Sequence, residues 1–225
     1  MQVLRFALRN LWRDLKSGEL SVLLLALTVA VLSLTAVGFF TSRISQGVRA
    51  QAAEVLAADL RLESPQPISP RYFTEAQARG LRSARMLCFP TALFSGDVSQ
   101  LAALNAVTAS YPLRGHMRIA DQPFGVARAT DRVPGRGEVW IDARIIAQLK
   151  IALGTPLRIG AATFRVTQVL DYRPDQGTGF VNLAPAALLN YDDVASTQLI
   201  QPGSRVTYDA LFAGPAAAVS SARRP

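Results

Sequence analysis

From Leu20 to Phe40 the chain reads LSVLLLALTVAVLSLTAVGFF, 21 positions without a charge or a proline. At 1.5 Å rise per residue such a run crosses the ~30 Å hydrocarbon core of a bilayer, and it is longer than a buried core helix keeps free of charge. A cleaved signal peptide also begins basic and turns apolar, but its apolar stretch is about 7 to 15 residues and a small-x-small site follows closely. Here the nearest such site, Ala50-Gln51-Ala52, lies ten residues beyond Phe40, and Asp14 and Glu19 interrupt the approach. The pattern predicts an uncleaved anchor helix over 20–40.

Both flanks carry helical patterns of their own, the N-terminal one set off from the span by a bend expected at Ser17-Gly18. Leu4, Leu8, Leu11, Trp12 and Leu15 recur at helical spacing beside a stripe of Arg5, Arg9, Arg13 and Lys16, which predicts an amphipathic segment over 1–19 lying at the inner membrane surface. Those four basic residues precede the span, and only Arg43 and Arg49 follow closely, so the N-terminus is expected inside. Beyond the span, Ile44, Val48, Ala52, Val55 and Leu56 keep a 3.6-residue rhythm weakened only by Gly47, predicting a stalk over 41–58. Ala26, Ala30 and Ser33 form a small-residue stripe suited to close helix approach.

The period then changes. Asp59-Leu60-Arg61-Leu62-Glu63 alternates as a strand does, and Ser69-Pro70 opens a short helix ending near Gly80. Met86–Phe94 reads as a strand turning at Ser95-Gly96-Asp97, while Val98–Val107 fits helix or strand. Residues 110–136, rich in Pro, Gly and Arg, read as an excursion or subdomain junction. Glu138–Ile141 is strand-like, with Asp142 capping a helix through Lys150. A hairpin is expected from Leu157 to Leu170 around Gly160-Ala161-Ala162, then a short helix from Pro185 and a strand over Ser204–Leu211. Residues 213–225 have no periodicity and read as a disordered tail. The expected fold is α+β: one transmembrane helix continuing as a stalk, then a mixed α/β domain over 59–212 with a strand-rich second part.

Charge and chemistry narrow the function classes. The net charge of +8 comes from 22 arginines and 2 lysines against 16 acids. Such a balance suits nucleic acid or anionic lipid, yet from residue 41 up to the terminal Arg223-Arg224 the arginines stand singly among carboxylates, as on a solvated surface, and no nucleic-acid partner is expected. Cys88, the lone cysteine, forms no internal disulfide and reads as a small buried hydrophobe. His116 is the single histidine and sits between Arg114 and Arg118, which disfavours a metal. Asp192-Asp193 and Asp171/Asp175 read as solvated turns, and Gly177-Thr178-Gly179 as a plain turn. No Gly-x-x-x-x-Gly-Lys-Ser/Thr loop is present. No residue is nominated as catalytic, cofactor-binding or metal-binding.

Several stretches, in order, resemble the MacB/FtsX-like permease subunits of ABC transporters, nearest to the YbbP-type permeases. They are the basic start leading into the anchor, Ala57-Ala58-Asp59-Leu60, Gln100-Leu101 through Tyr111-Pro112-Leu113-Arg114-Gly115, Gly137 to Asp142, Gln201 to Val206, and Leu211-Phe212-Ala213-Gly214. Asn105-Ala106-Val107-Thr108 and Leu153-Gly154-Thr155 depart from that pattern. The resemblance implies a bacterial inner-membrane protein with a periplasmic domain, anchored in this chain by the single pass over 20–40, and a cytoplasmic ABC ATPase as a separate partner chain. It further implies membrane lipid and a second permease copy or further permease helices as neighbours, and a role in ATP-driven export or in trafficking of lipid, lipoprotein or hydrophobic compounds. On this reading the chain is an N-terminal fragment of a permease, not active alone. The alternatives are a membrane-anchored periplasmic binding or scaffolding module and, less consistent with the empty chemical inventory, a tethered enzyme.

Overall fold

The computed structural model describes residues 19–176 and 184–222. The amphipathic segment expected over 1–19 and the turn at Gly177–Gly179 therefore lie outside the described residues, except for Glu19. The chain divides into two compact units, Met1–Ala50 and Gln51–Pro225.

Helix α1 (Glu19–Val55), which lies in the first unit up to Ala50, carries the apolar run, and Val22–Thr41 is long and apolar enough to cross a membrane. The side chains of Val22–Thr41 are all exposed, Leu34 at 80% and Phe39 at 69%. Two threonines within it fold their hydroxyls back onto the helix, Thr28 donating to the Leu24 carbonyl and Thr35 to that of Val31, each at 2.7 Å. That leaves neither hydroxyl unsatisfied in hydrocarbon.

α1 ends three residues before the expected limit at Ala58. Ala57 takes a positive φ of 56°, the left-handed conformation that closes many helices, although it is not a glycine. It is held there because Ala57 and Ala58 are fully buried in the second unit.

The second unit is built on one ten-stranded sheet. Its strands are β1 (Leu60–Ser64), β2 (Arg82–Ser95), β3 (Val98–Val107), β4 (Met117–Ala120), β5 (Arg128–Thr130), β6 (Glu138–Ile141), β7 (Pro156–Ile159), β8 (Ala162–Tyr172), β9 (Ala186–Asn190) and β10 (Thr207–Ala213). The order runs β1-β10-β2-β3-β9-β6-β8-β4-β5, and β7 pairs with both β2 and β8. The six strands β2, β3, β9, β6, β8 and β7 thus close into a ring. Its interior is filled by Leu87, Leu93, Leu104, Val139, Leu157 and Phe164, joined by Ile145 and Leu149 from helix α3 (Ala143–Leu149). Each such side chain, fully buried, is worth roughly 1.5–3 kcal/mol. α3 begins where its cap predicts: the Asp142 carboxylate accepts the Arg144 amide at 2.8 Å, and Lys150 ends it with a left-handed φ of 51°.

The other face carries a second core of Met86, Tyr111, Met117, Trp140, Leu188 and Leu211. A third, smaller core lies at the β1 edge. There helix α2 (Pro70–Ala78), with proline in its first turn, packs through Ala76 and Phe73 on Phe212 and Leu62.

Three sequence expectations change. Ala186–Asn190 is a strand, not the helix expected from Pro185. Alanine and leucine favour a helix locally, but β9 lies between β3 and β6 with its first four residues buried, and only an extended chain satisfies both neighbours' ladders. The helices follow it instead: a 3₁₀ turn at Tyr191–Asp193 and α4 (Val194–Thr197). Residues 110–136, read as an excursion, contribute β4 and β5 to the same sheet through the pairing of β4 with β8. The tail expected over 213–225 contains helix α5 (Ala216–Ala222), whose Ala218 and Val219 pack on the third core.

Candidate functional site

The described residues hold no group of three or more His, Cys, Asp or Glu arranged for a metal. Their distinctive polar chemistry is a set of arginine–carboxylate couples on the face opposite the ring interior, starting where the chain enters the sheet.

The first couple joins distant parts of the sequence. Because Ala57 turns left-handed, its carbonyl points at the loop before β4 and accepts the amides of Leu113 and Arg114, both at 3.0 Å. Two residues on, Asp59 takes the Arg114 guanidinium through both oxygens, Nε at 3.0 Å and Nη2 at 2.6 Å. Asp59 Oδ2 also accepts the Gly214 amide at 3.0 Å, and the Asp59 amide donates to the Phe212 carbonyl at 3.0 Å. Arg114 completes the loop by donating to the Gly214 carbonyl at 3.4 Å. The bidentate hydrogen bond from Arg114 holds the Asp59 carboxyl below its usual range, against a smaller opposing push from burial.

The second couple crosses the edge of the sheet. Arg61 on β1 donates to Asp209 on β10, Nε to Oδ1 at 2.8 Å and Nη2 to Oδ2 at 2.9 Å. The Asp209 side chain is fully buried, and burial pushes its carboxyl up despite the arginine's hydrogen bonds.

The third lies deepest. Arg173 Nε stands 2.7 Å from Asp175 Oδ1, and the Tyr111 hydroxyl donates to the same oxygen. Burial first, then the neighbouring carboxylate, pushes the Tyr111 phenol well above its usual range. Arg173 Nη1 and Asp175 Oδ2 have no hydrogen-bond partner among the described residues, nor do Asn105 Oδ1 and Trp140 Nε1. The Cys88 thiol, half-buried near these charges, is pushed up by burial.

The acids weighed in the sequence separate here. His116 Nδ1 meets Asp131 at 2.6 Å in the open, Arg118 lies 3.5 Å from Asp171, and Asp192 accepts Arg136 at 2.8 Å. Asp193 accepts the Gly137 amide at 2.8 Å. Asp175, by contrast, is no solvated turn, and Arg173 is no surface arginine: they are 7% and 6% exposed. Sequence reasoning did not nominate Asp59, Arg61, Arg114 or Asp209. The available signal was Asp59 following two alanines at a helix end, and Arg114 in a Pro-Leu-Arg-Gly turn.

Residues 21–222 match the family described as the MacB-like periplasmic core domain. The chain is 34% identical over 206 residues to the uncharacterized ABC transporter permease YbbP of Escherichia coli (strain K12), covering 92% of this chain and 25% of the relative. It therefore spans a quarter of that relative's length. The extracellular domain of the noncanonic ABC-type transporter YknZ from Gram-positive bacteria superposes with a TM-score of 0.49 at 12% identity, over 71% of this chain and 80% of that one. The periplasmic region of MacB from Actinobacillus actinomycetemcomitans gives 0.42 at 17% identity, over 67% and 70%. By the family match across nearly its whole length, the chain belongs to the MacB-like periplasmic core domain family.

Proposed function

We propose that this chain is the membrane-anchored periplasmic part of an ABC transporter permease, and that the Asp59–Arg114–Gly214 joint couples movement of its helix to its sheet. The observation that carries the reading is that one guanidinium engages both the place where the chain leaves α1 and the residue following β10. A pull on either strand end is then shared by both instead of peeling β1 away alone. Similarity to YbbP supports an ABC ATPase on a separate cytoplasmic chain and, beyond this chain, further permease segments. As cargo we propose lipid, lipoprotein or another hydrophobic compound of the envelope.

α1 continues for 14 residues past Thr41, which at 1.5 Å each is about 21 Å of helix. Gly47→Pro removes a helix hydrogen bond, costs ~3 kcal/mol and kinks the helix. In proteoliposomes holding the complete permease and its ATPase, the variant should hydrolyse ATP while transport falls at least tenfold. Transport at the parent rate would remove the coupling role. Orientation is checked separately by thiol labelling of intact cells in a Cys88→Ser background: Ser99→Cys should react and Gln2→Cys should not. The reverse pattern would place the domain inside.

A further inference from the structure

Helices α2 and α5 both pack on the β1 edge of the sheet, and Arg79 at the end of α2 ties them by donating to the Ser221 carbonyl at 3.0 Å. Beside that tie is a groove of about 530 Å³, within the 300–1,000 Å³ range of small-molecule sites. Its apolar lining comes from Leu60, Leu62, Leu81 and Phe212. Leu60 and Leu62 stay partly exposed there because β1 is the last strand of the sheet, and α2 and α5 cover that edge only in part.

The charged lining is unbalanced. Three arginines, Arg61, Arg71 and Arg79, face one acid, Glu75. Arg61 is spent on Asp209, and Arg79 on Glu75 and Ser221. Arg71 makes no ion pair among the described residues; its guanidinium lies 5.6 Å over the Tyr72 ring. An apolar trough with one uncommitted guanidinium is complementary to a molecule with one anionic end and one apolar chain. The arginine fork suits a carboxylate, and the leucines exclude water from the chain.

We infer that this groove binds a single-chain anionic lipid of the fatty-acid class, its carboxylate on Arg71 and its chain along Leu60, Leu62 and Leu81. The inference is independent of the coupling role: a permease could move cargo with this groove empty.

The test uses the full chain in phosphatidylcholine nanodiscs with a palmitate analogue carrying a photoreactive diazirine on its chain. After irradiation, mass spectrometry should place adducts in the peptides bearing Leu60–Leu62 and Tyr72–Leu81, and excess unlabelled palmitate should suppress them. Arg71→Glu should cut this labelling at least fivefold with the thermal melt unchanged, since Arg71 is exposed and holds no ion pair. The uncharged palmityl alcohol analogue should label the groove at a fifth of the acid's level or less. Labelling confined to α1, labelling insensitive to Arg71→Glu, or equal labelling by the alcohol would each overturn the assignment.

Discussion

Asp59 and Gly214, 155 residues apart, are joined directly by the Gly214 amide donating to Asp59 Oδ2 at 3.0 Å, and indirectly through Arg114. β1 and β10 pair over five positions just beyond this contact. The joint therefore sits at the end of a ladder, where pulling forces would otherwise open it first.

Its acid dependence follows from the depressed Asp59 carboxyl. An acid whose folded pKa lies below its unfolded value, about 3.9, contributes stability that is present above that value and is lost as pH falls through the folded one. Asp59→Asn should lower stability by about 1 kcal/mol near pH 7, because Arg114 is 39% exposed and solvent screens the pair. Urea melts from pH 7 down to pH 3 should show the difference between variant and parent shrinking at the acid end. A constant difference would show that ionisation of Asp59 is not what matters.

Asp209 has the opposite sign. Burial raises its carboxyl, so its ionisation costs stability as pH rises from the unfolded value through the folded one, and Arg61 offsets that cost. Arg61→Met alone should destabilise by about 3–5 kcal/mol by leaving a buried charge unpaired. Arg61→Met with Asp209→Leu should recover most of the loss in chemical denaturation. A double variant as weak as the single one would contradict this.

Much of the architecture was legible because local signals and tertiary packing agreed. The anchor, the Asp142 cap, proline at the head of α2 and the hairpin around Gly160 each have a local cause. β9 was misread because Ala186–Leu189 has no strand signature of its own, and its conformation is imposed by β3 and β6. The polar couples were invisible for a related reason. Asp59 and Arg114 lie 55 residues apart and Arg61 and Asp209 148 apart, so only the sheet register brings them together. Asp175 looked like an ordinary loop acid because nothing nearby in sequence announces that Tyr111 covers it.

The loop between β4 and β5 holds a correctable strain. Phe124 adopts a positive φ of 59° while 81% exposed, so its ring repays little of the ~1–2 kcal/mol that a left-handed conformation costs. Phe124→Asn should stabilise the domain by about 1 kcal/mol, raising Tm by about 2–4 °C in calorimetry. A lower Tm would mean that the ring makes a contact worth more than the strain.

Gly160 is fixed by both conformation and space. Its φ is +60°, and a Cβ there would lie 2.1 Å from the Thr197 carbonyl oxygen. Gly160→Ala should cost about 3 kcal/mol or more, since backbone on both sides must shift. An unchanged melt would contradict this packing of the β7–β8 turn on α4.

The coupling role is tested most directly at Arg114. In proteoliposomes containing the complete permease and its ATPase, transport and ATP hydrolysis are measured together for the parent and for Arg114→Met, which keeps an unbranched apolar stem and removes the guanidinium fork. The account predicts near-parent hydrolysis, a domain still folded by circular dichroism, and a fall of at least tenfold in transport per ATP. An unchanged ratio of transport to hydrolysis in the folded variant would contradict it.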